Sequence, residues 1–182
     1  MSEAEGLGYD DDLAVAWEAQ EVTAEEALQR INADAARLMK AMAAIEEHTR
    51  DTSDEASSIS QELHRLEGKL DLVLSIVAHM SNAQLALPPA GPVMVRATGL
   101  HWHQPPPDLK PGDGEKGVAA IYFYPGMPLP VRLPAKVTVL EDGSMMLVFA
   151  GLTAEVRNAL ERHVFRHHRR AVARAAVARS KG

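Results

Sequence analysis

The amino-acid sequence predicts an α+β chain: a long coiled-coil helix forming a multi-helix bundle, then a small antiparallel β-domain with a C-terminal helix. Three observations carry this. Apolar residues recur in alternating steps of three and four from Leu28 to Met80, all 11 prolines fall between Pro88 and Pro134, and turn-punctuated β-branched segments follow Pro88 before a helical pattern resumes. The break at residue 87 predicts three parts: an acidic N-terminal segment with a short helix (1–21), an oligomerisation helix (22–87) and the β-domain (88–182). Charge divides the same way, with 18 acids and 6 bases in Met1–Leu87 against 7 acids and 13 bases in Pro88–Gly182.

In the first part, DDDLAVAWEAQ joins acidic residues suited to a helix start with an apolar face of Leu13, Val15, Ala16 and Trp17. This predicts a short docking helix.

The long helix is announced by TAEE, where the Thr23 hydroxyl and Glu26 three residues later form the capping-box pattern, so the helix begins at about Ala24. The seam then runs Leu28, Ile31, Ala35, Leu38, Met42, Ile45, Thr49, Thr52, Ala56, Ile59, Leu63, Leu66, Leu70, Val73, Val77 and Met80. A strict period of 3.5 keeps one stripe facing a partner only if helices supercoil. At about 1.5 Å per residue the helix would reach roughly 80 Å, far beyond what one small domain covers. A hairpin within one chain, broken near HTRDTSDEASS, is the alternative, but that stretch holds no Gly or Pro and keeps the heptad phase. Thr49 and Thr52 weaken the seam locally. With Leu28 as position a, leucine at a (Leu63, Leu70) and isoleucine at d (Ile31, Ile45, Ile59) favour more than two strands. Flanking Met39, Ala41, Leu74 and Ile76 widen the apolar face, so a homotetramer is expected.

In the β-domain, VMVRATGLHW, GVAAIYFY, PVRLPAKVTVL and SMMLVFA read as strands. The last segment has Thr153 as a candidate cap and Val156, Leu160 and Val164 at fourfold spacing, the pattern of a terminal helix.

The order TGLHW, LKPGD, a strand, PLPVRLPAKVTVL, then MMLVFAGL leading to a Leu-Glu-Arg helix resembles a PilZ domain over about residues 92 to 170. The resemblance implies a six-stranded barrel that is no enzyme. Most members bind cyclic di-GMP through an Arg-x-x-x-Arg pair before the barrel and an Asp/Asn-x-Ser-x-x-Gly motif on the first strand. Guanidinium forks suit phosphate oxygens and guanine faces, and the small polar residues suit base edges. With Gly99 on the motif glycine, Met94 stands for the Asp/Asn and Arg96 for the Ser, and no arginine lies between Arg65 and Arg96. Cyclic di-GMP binding in the usual mode is therefore not expected. The sequence is similar to atypical PilZ proteins of plant-pathogenic bacteria that lost the motif and gained a long heptad helix driving tetramer formation. This implies an adaptor working through an unknown protein partner in motility or virulence regulation. The alternative is a cyclic di-GMP receptor with another arginine set, such as Arg96 with Arg132 or with residues of the terminal helix.

Other sites are weaker. His101 and His103 have metal-ligand spacing on a strand but lack a third ligand, and His163 and His167, one helical turn apart, sit among Arg162, Arg166, Arg169 and Arg170. The basic run RHVFRHHRRAVARAAVARSK has no aromatic stacking platform, which disfavours nucleic acid. The serines Ser53, Ser57, Ser58 and Ser60 have only His64 nearby, and GDGEKG opens no helix and reads as a hairpin loop, so no catalytic site and no cofactor are expected. Absence of cysteine fits a reducing compartment. The acidic start is unlike a secretory signal, and no run reaches the roughly 18 apolar residues of a membrane helix. The expected location is the cytoplasm, without membrane insertion.

Overall fold

The computed structural model describes residues 6–48, 70, 77, 87–109, 111–124 and 129–179. Six antiparallel strands, β1 (Gly8–Glu18), β2 (Ala90–Arg96), β3 (Gly99–Trp102), β4 (Lys116–Tyr122), β5 (Val131–Val139) and β6 (Met145–Phe149), close a barrel in the order β1-β2-β3-β6-β5-β4. Among the described residues, the helices α1 (Glu25–His48) and α2 (Ala154–Arg179) pack against it.

The interior follows the period of two. Val131, Leu133, Ala135 and Val137 of β5 point inward between exposed Arg132 and Lys136, and Val93, Val95, Leu100, Trp102, Ile121 and Leu147 complete the filling. VMVRATGLHW is not one strand. It turns at Ala97 and Thr98, so that Val95 pairs with Leu100 and Val93 with Trp102. GDGEKG is not a hairpin loop either, because β3 and β4 are not neighbours in the barrel. Gly114 takes the left-handed conformation there (φ 80°), and its N–H donates to the Val137 carbonyl at 2.9 Å.

The largest departure from expectation is at the N-terminus. Gly8–Glu18, expected as a short docking helix, is the strand β1, bonded to β2 on one side and β4 on the other. The residues Leu13, Val15 and Trp17 alternate, and a period of two outranks the acidic helix-start signal once two sheet edges are available to pair. The barrel therefore draws on both sides of the break at residue 87. Trp17 is fixed by its Nε1–H, which donates to Glu115 Oε1 at 3.0 Å.

Helix α1 starts one residue later than the capping box suggests, with the first helical bond running from the Leu28 N–H to the Ala24 carbonyl. It lies on β5 and α2, and its buried stripe is Asn32, Ala35, Ala36, Met39 and Met42. Ala35 and Met42, expected in a seam facing other copies, are thus covered within their own subunit, while Leu28, Ile31 and Leu38 are half-buried. Ile45 lies in α1, and Leu70 and Val77 are helical. The seam positions Thr49, Thr52, Ala56, Ile59, Leu63, Leu66, Val73 and Met80 lie outside the described residues.

Helix α2 matches its reading. Thr153 caps it, its Oγ1 accepting from the Val156 N–H at 3.4 Å, and Val156, Leu160 and Val164 are fully buried. Asn32 ties the two helices: its Nδ2 donates to the Leu28 and Gly151 carbonyls at 2.9 and 3.0 Å, and its Oδ1 accepts from the Thr153 N–H at 2.9 Å. One buried amide thereby satisfies backbone groups at the α2 entrance that would otherwise be orphaned.

Candidate functional site

The residues aligned with the ligand motif lie on the β2–β3 hairpin. Val93 and Val95 point into the barrel, so Met94 and Arg96 share its outer face. Met94 is directly paired with Asp10 on β1 and His101 on β3, and His101 with Met146 on β6. The outer row is therefore Asp10, Met94, His101, Met146. The Arg96 Nη2 donates to the Met94 sulfur at 3.4 Å, and its Nε is buried without a partner. The row thus presents one carboxylate, two thioethers and the His101 imidazole.

Gly99 has a different explanation. A Cβ there would stand 2.5 Å from the Leu147 carbonyl oxygen and 3.4 Å from the Val148 Cα. The close approach of β6 to β3 demands glycine whether or not a ligand binds.

Arg96 and Arg132 are not brought together. Two strands separate β2 from β5 in either direction round the barrel, and Arg132 pairs with Glu18. The terminal helix does reach Arg96: Leu7, Arg96, Thr98, Glu161, Arg162 and Phe165 line an open groove of about 490 Å³. Sequence reasoning did not single out Leu7 or Phe165. Phe165 carried a signal, since it falls on the face of α2 opposite Val156, Leu160 and Val164 and is 51% exposed.

His101 and His103 do come together, their rings 4.1 Å apart. The His101 Nε2 lies 2.9 Å from Ser144 Oγ, which donates to Asp142 Oδ1 at 2.6 Å. Having given its proton to the carboxylate, the hydroxyl accepts from His101. This chain runs Asp–Ser–His, so the carboxylate orients the serine and not the imidazole, the reverse of a nucleophile relay. Its hydrogen bonds from Ser144 hold the Asp142 carboxyl below the usual range, and burial followed by His103 holds His101 low. The network pins the β5–β6 turn to β3. Among the described residues no group of three or more His, Asp or Glu is placed to hold a metal, and no helix is long and apolar enough to cross a membrane. His163 and His167 are adjacent as predicted, with ring centroids 4.3 Å apart, but they pack against Tyr9 and Phe123.

Comparison with known proteins agrees with this architecture. Residues 39–177 match the family model described as an atypical PilZ domain, cyclic di-GMP receptor. No curated protein matches the chain. Among solved structures the chain is similar to a pathogenic protein from Xanthomonas campestris, described as a tetrameric PilZ domain self-assembled via an unusual helical bundle. The two are 25% identical with a TM-score of 0.77, over 93% of this chain and 92% of the other.

Proposed function

Because this chain belongs to the atypical PilZ domain family, we propose that it is a non-catalytic cytoplasmic adaptor that has lost the cyclic di-GMP motif. It assembles as a homotetramer and acts through a protein partner in bacterial motility or virulence regulation. The observation that carries this reading is the outer row of the barrel. Met94 replaces a base-reading carboxylate or amide, Asp10 stands directly opposite it, and Arg96 is turned toward the Met94 sulfur. The Asp10 carboxylate adds a negative charge beside that position, which disfavours a bound phosphodiester.

Calorimetric titration of cyclic di-GMP into the full chain is the test, with no saturable heat expected at micromolar concentrations. Saturable binding overturns this reading in favour of a second one, a receptor that uses the groove between Arg96 and Arg162 with Phe165 as stacking surface. Under that reading Arg162→Ala weakens binding about tenfold or more, the scale of one charge-assisted hydrogen bond, whereas Arg132→Ala does nothing.

Self-assembly is supported by exposed helical leucine and valine. Leu70 is 60% and Val77 56% exposed in the single chain, and both stand on the heptad seam. Large aliphatic side chains on one stripe need a cover, which other copies supply. The similar Xanthomonas protein is tetrameric. Light scattering on the full chain is expected to give four subunits, and Leu63→Asp with Leu70→Asp is expected to give smaller species. An unchanged mass in that variant would exclude this seam as the interface.

A further inference from the structure

The joint between β1 and α2 is built from imidazoles. His163 is 2% exposed. Its Nε2 lies 2.8 Å from the Tyr9 hydroxyl, and its ring packs on Phe123 at 4.7 Å and on His167 at 4.3 Å between centroids. His167 stacks on Tyr9 at 4.6 Å, and the His168 Nδ1–H donates to the Gly8 carbonyl at 2.8 Å. Among the described residues, the charged groups acting on His163 are His167, Arg166 and Arg170 from its own helix. Strand β1 contributes the Tyr9 phenol, and the residue after β4 contributes Phe123.

We propose that this joint is an acid-responsive latch: proton uptake by His163 opens the contact between β1 and α2 and frees the C-terminal helix from the barrel. With its proton on Nδ1 the neutral imidazole accepts the Tyr9 O–H at Nε2, whereas an imidazolium has two donors and no lone pair. The Tyr9 contact then needs a different hydroxyl orientation, and a cation is left buried beside two guanidiniums. His163 is the most deeply buried imidazole of the joint, which makes it the switch.

Burial first, then His167 and the two arginines, depress the His163 pKa to about 3. In the opened joint it returns to about 6.5. Above that value neither form binds the proton and pH has no effect. Below it only the opened form does, so the closed form loses about tenfold in its population ratio per pH unit down to the folded value.

Hydrogen exchange read by mass spectrometry on the full chain, with rates corrected for intrinsic pH dependence, tests this between about pH 7.5 and 5. The opening constant of residues 155–165 is expected to rise about tenfold per pH unit below about 6, while β5 and β6 stay protected. His163→Gln keeps an amide for Tyr9 but does not titrate, and it should flatten the slope, as should His163→Met. His167→Gln and His168→Gln, which leave His163 in place, should retain it. A flat wild-type profile, an unchanged slope in a folded His163 variant, or a slope lost in His167→Gln or His168→Gln overturns the proposal.

Discussion

Alanine in place of Gly99 is expected to destabilise the barrel by about 3 kcal/mol or more, against a typical domain stability of about 5–15 kcal/mol. The added methyl would stand 2.5 Å from the Leu147 carbonyl oxygen. That obstacle is backbone in a strand bonded on both sides, to β3 and to β5, so no rotamer change relieves it. Either β3 slides from β6 and the pairing of Gly99 with Val148 is lost, or the barrel opens. Urea unfolding measures the loss, and a variant as stable as the parent would refute the steric account. The same geometry gives Gly99 a reason in the spacing of two strands that does not involve a ligand.

Asn32→Ala is expected to cost about 3 kcal/mol, because it leaves the Gly151 carbonyl and the Thr153 N–H without their partner in a site that is 2% exposed. Each buried orphan costs about 1–3 kcal/mol. Asn32→Leu should fare no better, since its greater apolar contact cannot answer two polar backbone groups. Asn32→Asp should fall between, still accepting from Thr153 but donating to neither carbonyl. A lower urea midpoint in all three, with aspartate highest, is the expected pattern. A leucine variant more stable than the parent would show that packing, and not the amide, joins α1 to α2.

Much of the barrel was legible because strands announce themselves by local chemistry. The segments that became β4, β5 and β6 are β-branched runs between Gly, Pro and Asp, and Thr153 with Val156, Leu160 and Val164 marks α2. β1 was misread because three aspartates before an apolar tetrad satisfy a helix-start rule locally, whereas its pairing depends on β2 and β4, remote in the chain. The heptad reading ran into a similar limit. Periodicity identifies an apolar stripe but not its cover, and for Ala35 and Met42 the cover is the subunit itself. At the candidate site, the identities of Met94 and Arg96 were readable position by position. That Asp10 faces Met94, and that Arg132 sits across the barrel from Arg96, follow from closure, which no local pattern encodes.

The placement of β1 bears on how the chain survives its own synthesis. Gly8 pairs with Arg96 and Glu18 with Val118, so the first strand leaves the ribosome long before either neighbour exists. During that wait it is an unpaired, partly apolar ribbon, the kind of segment that templates aggregation between nascent chains. Asp10, Asp11 and Asp12 are all exposed in the finished barrel. Their charges keep waiting copies of the strand from zipping onto one another until the rest of the sheet arrives.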